Sequence, residues 1–71
     1  MVTATNWKSL LSDSTSTAVV KNFATGTLSG RSFYNSFRNT SLGGEVRTLL
    51  RSGVGRAREI SRKALRRRGL L

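Results

Sequence analysis

Arginine is the residue with the most chemistry to offer in this chain, and it is spaced. Arg47, Arg51, Arg58, Arg62 and Arg66 recur at intervals of four, seven, four and four. On an α-helix that spacing lines them along one flank. A guanidinium is always charged and presents a planar fork of donors, which grips a phosphate through two parallel hydrogen bonds. Arg67 and Arg68 extend the charge beyond Arg66. These seven arginines are the candidate nucleic-acid-binding residues. The chemistry they offer is neutralisation of phosphates, which positions a protein on a nucleic acid without reading its bases.

Other chemistries lack their residues. The chain has no His and no Cys, and its only carboxylates are Asp13, Glu45 and Glu59. The common nucleophile–base pairs are therefore missing, as are thiolate and imidazole metal ligands. The glycines form neither a phosphate-binding loop of the Walker type nor a dinucleotide fingerprint. The sequence thus points to a non-enzymatic protein with no catalytic residues, no metal, no cofactor and no small-molecule substrate.

The element that must position the arginines is the last third of the chain. Val46, Leu50, Val54, Ala57, Ile60 and Ala64 recur at intervals of four, four, three, three and four, the spacing of one helical face. The pattern predicts an amphipathic basic helix over about 45–68, with an apolar stripe beside the arginine flank. Ser41, Gly43 and Gly44 are candidate caps, and Glu45 puts a negative charge at the positive end of the helix dipole. Gly69 suits the residue just past the helix end, with Leu65 and Leu70 as the hydrophobic pair of a Schellman ending. Gly53 and Gly55 each cost roughly 1 kcal/mol inside a helix, so a hinge at 53–55 between two shorter helices is the alternative to one rod. The unbroken apolar phase favours continuity, or a kink.

The first 43 residues read differently. They are rich in Ser and Thr and hold only four of the thirteen basic residues. Thr5 or Asn6 can cap a short helix in which Trp7, Leu10 and Leu11 share a face. Asp13 or Ser14 can begin a helix running through Val20 and Phe23, although the β-branched residues there also suit a strand. Ser29 can cap a third short helix, on which Phe33, Tyr34 and Phe37 make an aromatic patch flanked by Arg31 and Arg38. Aromatics beside arginines can stack on and clamp single-stranded nucleic acid; the simpler role is a small core. With so few large apolar residues per segment, these pieces read as pegs for another surface. Trp7, Leu10, Leu11, Phe23, Phe33, Tyr34, Phe37, Leu50 and Ile60 are the candidate partner-docking residues.

Composition sets the frame. The chain has 71 residues, a net charge of +10 and 37% hydrophobic residues. A chain this short buries only about 60–65% of its unfolded surface, so an independent core is marginal. The expected fold is mainly α, small and extended: short amphipathic helical segments plus the basic C-terminal helix, with little core of its own and order completed by partners. It divides into a docking segment, 1–43, and an arginine-rich helix, 44–71. No apolar run approaches the ~18 residues of a membrane span, and the N-terminus lacks the pattern of a signal peptide.

The function that best fits these features is a structural protein of a nucleoprotein particle. Its partners would be nucleic acid, bound through phosphates, and a larger protein shell or scaffold. Its setting would be a virion interior, as a capsid-associated protein, or another intracellular nucleoprotein particle. Internal virion proteins and ribosome-associated proteins share this composition, so a ribosome-associated role is one alternative. Another is a membrane-active amphipathic basic peptide making peripheral membrane contact.

Overall fold

Side-chain caps start the first three helices. In this computed structural model, which describes residues 5–71, α1 spans Trp7–Leu10 and α2 spans Ser14–Ala24. The Asn6 side-chain oxygen accepts the Ser9 N–H at 3.2 Å, and an Asp13 carboxylate oxygen accepts that of Ser16 at 2.7 Å. Ser29 does the same for α3, Gly30–Phe37, accepting from Ser32 N–H at 3.1 Å. Each cap satisfies an N–H that the first helical turn leaves without a partner. The β-branched run at 15–20 is helical, because the Asp13 cap and the burial of Val20 and Phe23 outweigh local strand preference.

Two further helices, α4 (Gly43–Leu50) and α5 (Val54–Arg67), complete the described residues, which contain no strand. α4 starts without a side-chain cap. Gly43 is there for closeness: a Cβ at this position would lie 2.9 Å from the Phe37 carbonyl oxygen. A Glu45 carboxylate oxygen accepts the Asn6 backbone N–H at 3.1 Å, which ties the start of α1 to α4.

The single helix expected over 45–68 is two helices. Gly53 stands at φ 103° and ψ 146°, close to a region that only glycine enters without strain. The break re-phases the apolar stripe. Val46 and Leu49 are buried from α4, while Ala57, Ser61, Ala64 and Leu65 are buried from α5; Leu50 and Ile60 are only partly covered, and Val54 is 41% exposed. The far end follows expectation. Gly69 takes φ 69°, its N–H bonds to the Arg66 carbonyl, and the Leu70 N–H bonds to the Leu65 carbonyl at 2.9 Å, the paired bonds of a Schellman ending.

α5 packs across α2, and α3 packs against both α2 and α4. At their centre Phe23 and Phe33 stack with centroids 4.2 Å apart, and Phe37 meets Phe33 edge-on at 5.8 Å. Such pairs contribute about 0.5–1.5 kcal/mol beyond their area burial. Leu10, Val20, Val46, Leu49, Ala57 and Leu65 close the cluster. Ser61 joins the buried face because its hydroxyl donates to the Ala57 carbonyl at 2.7 Å, leaving no unmet polar group.

The expectation of an extended chain with little core is thereby corrected. The radius of gyration is 10.6 Å, against about 11 Å for a compact chain of this length and about 26 Å for an unfolded one. Residues of 1–43 and of 44–71 build one core together. The aromatic residues taken for pegs supply its centre, because three phenylalanines that can reach one another bury more area together than apart.

Candidate nucleic-acid interface

The break at Gly53 splits the expected arginine flank into three environments. Arg58 and Arg62 turn inward to the C-terminal end of α2. Arg58 donates its Nε–H to the Phe23 carbonyl at 3.1 Å and an Nη2–H to the Leu28 carbonyl at 3.3 Å. Its guanidinium carbon sits 5.2 Å from the centroid of the Phe23 ring. Arg62 donates to the Ala24 carbonyl at 2.8 Å. The last turn of a helix leaves carbonyls without partners and carries the negative end of the dipole. Two guanidiniums therefore cap α2, and in this fold their forks are occupied by backbone.

Every other Lys and Arg in the chain is exposed. On α5 the buried positions 57, 61, 64 and 65 define the inner side, which leaves Arg56, Lys63, Arg66 and Arg67 on the outer side. Arg56, Lys63 and Arg67 are seven and four residues apart and so share a face, covering roughly 16 Å of helix axis. Duplex nucleic acid carries about one charge per 1.7 Å of axis, so several phosphates fit along this face. Arg68, beyond the helix end, is exposed and donates to the Ala64 carbonyl at 3.3 Å. Acidic residues offset little of this. Asp13 caps α2 and Glu45 holds Asn6, which leaves Glu59 as the carboxylate on the outer side of α5.

The two arginines of the α4 segment line a groove. Arg47, Leu50 and Arg51 lie three and four residues apart on one side of α4, and Val54 continues that wall at the start of α5. Gly30, Arg31 and Tyr34 face them from α3. The groove is open to solvent and measures about 560 Å³, with Tyr34, Leu50 and Val54 as its apolar lining and three exposed arginines beside them. A smaller groove of about 250 Å³ lies at the other end of α5, between Trp7, Ile60, Lys63, Ala64, Arg67 and Arg68.

The residues expected to dock a partner divide by burial. Leu10, Phe23, Phe33 and Phe37 are inside the core and present no surface in this fold. Trp7, Leu11, Tyr34, Leu50 and Ile60 pack against the core while remaining partly exposed. The candidate set drawn from the sequence did not include the exposed Arg56 and Lys63, and it weighed Arg31 only as a flank of the aromatic patch. The signal for Arg56 and Lys63 was their seven-residue spacing, each one residue before a buried alanine and about 100° around the helix from it, masked by a serine on the buried face.

Among the described residues no group of three or more acidic, Cys or His residues could hold a metal, and no helix is long and apolar enough to cross a membrane. No protein-family model matches the chain, and no curated protein or solved structure matches it.

Proposed function

We propose that this chain is a non-enzymatic, phosphate-neutralising protein of a nucleoprotein particle. The observation that carries this is the partition of its cations. Among the described residues only Arg58 and Arg62 hydrogen-bond through their side chains to another element of the fold, while the remaining Lys and Arg residues are exposed under a net charge of +10. Contacts of this kind hold nucleic acid without sequence preference. The seven-arginine set is revised accordingly: Arg47, Arg51, Arg66, Arg67 and Arg68 stay, Arg56 and Lys63 join, and Arg58 and Arg62 leave. The setting we favour is a virion interior, with the partly exposed Trp7 and Ile60 as the surface offered to a protein shell.

The membrane reading needs a free apolar helix face. Ala57, Ala64 and Leu65, which would supply it on α5, are turned to the core. The test is co-sedimentation of the folded chain with an oligonucleotide on beads and with neutral and anionic vesicles. Retention by nucleic acid, with release by high salt, is expected; salt-resistant retention by neutral vesicles would overturn the proposal, since only apolar burial survives salt.

A further inference from the structure

We infer that the groove between α3 and α4 takes one unpaired nucleotide, so that the chain binds single-stranded nucleic acid in preference to duplex. This rests on the reading of the chain as a nucleic-acid-binding protein and adds a chemical class to it.

Three observations meet at this groove. The first is its shape and lining. It is an open groove of about 560 Å³ whose apolar lining is Tyr34, Leu50 and Val54. Gly30 brings α3 close to that lining: a Cβ there would lie 2.9 Å from a Val54 methyl. The second is the charge at its rim. Arg31, Arg47 and Arg51 are all exposed. Among the described residues none of the three side chains bonds to another residue, whereas Arg58 and Arg62 are tied to carbonyls. Three like charges around one opening repel one another and are relieved by an anion. The third is uncovered apolar surface. Val54, which lines the groove, is 41% exposed.

An open apolar groove with an aromatic edge and exposed arginines along it offers surface to a nucleobase and charge to its flanking phosphates. The base lies against Tyr34 and the aliphatic lining, and the arginines take the phosphates on either side. A base inside a duplex has both faces stacked and cannot enter. Base–aromatic stacking tolerates any base, so this site does not introduce sequence specificity.

The experiment is fluorescence anisotropy with the full chain, a labelled 12-nucleotide oligo-thymidylate and the corresponding thymidylate–adenylate duplex, at one moderate salt concentration. The variants are Tyr34→Ala and Val54→Asp, with Arg56→Gln as a basic-face control. Val54→Asp keeps the fold testable if Tyr34→Ala unfolds, because an acidic residue in the first turn of a helix favours the dipole. The wild type should bind the single strand about tenfold more tightly than the duplex, the scale of one stacked base. Both groove variants should lose that advantage while their duplex affinity changes only a few-fold; Arg56→Gln should weaken both ligands alike and keep the advantage. Equal wild-type affinity for the two forms, or folded groove variants that keep the preference, would overturn the inference and leave the broader reading standing. Failure of the chain to bind either form would overturn both.

Discussion

Arg58 holds Phe23 at two points: its Nε–H donates to the Phe23 carbonyl at 3.1 Å, and its guanidinium lies 5.2 Å from the centroid of the Phe23 ring. One residue of the basic segment thus locks the end of α2 and covers the central aromatic stack. A side chain that looks from its sequence like a phosphate ligand is part of the fold.

Arg58→Gln should therefore act on stability before it acts on binding. It removes two hydrogen bonds from a charged donor, one to the Phe23 carbonyl at the end of α2 and one to the Leu28 carbonyl in the connection to α3, and uncovers the Phe23 ring. The expected loss is about 2–3 kcal/mol, or a fall in Tm of roughly 10–20 °C for a chain this size. Lys at this position should recover little, because an ammonium on a flexible stem cannot reproduce the fork. Thermal and urea melts followed by circular dichroism measure this; an unchanged midpoint would remove Arg58 from the fold.

The outer side of α5 should behave in the opposite way. Replacing Arg56, Lys63 and Arg67 together with Gln leaves every buried position in place, so the thermal midpoint should stay within a few degrees. Affinity for nucleic acid should fall for all sequences alike. The slope of log affinity against log salt should become shallower by about two to three, one cation at a time. Calorimetric melting and binding isotherms on the same preparations separate the two effects.

Much of the helical outline was legible in the sequence. Asn6, Asp13 and Ser29 cap where their side chains indicated, and Gly69 ends α5 with the expected bonds. These are local effects, set by residues within one turn of one another. The pairing of Phe23 with Phe33 was not legible, because it depends on α2 and α3 folding back on each other. Nor was the inward turn of Arg58 and Arg62. An apolar phase that runs through Gly53 in one dimension conceals a break that glycine's positive φ makes in three. Once the helix breaks there, the flank inferred from a continuous 100° rotation no longer exists. The groove of Arg31, Tyr34, Arg47 and Arg51 was hidden for the same reason, since it needs α3 beside α4.

Gly53 itself is testable. At φ 103° an alanine is strained even though nothing stands within 4 Å of where its Cβ would lie, so Gly53→Ala should cost about 1–3 kcal/mol. Gly55→Ala, in the first turn of α5 with equally open surroundings, should be neutral or stabilising by up to about 1 kcal/mol. A pair of urea melts decides this. Equal effects at the two positions would mean that one continuous helix, rather than a turn at Gly53, joins α4 to α5.

The most direct test of the phosphate-neutralising role is the salt dependence of binding by the intact, folded chain to two duplex oligonucleotides of unrelated sequence. With about four to six phosphates neutralised, log affinity should fall against log salt with a slope of roughly −3.5 to −5.5. The two sequences should bind with equal affinity at every salt concentration. A flat salt dependence, or a clear preference for one of the two duplexes, would contradict the account.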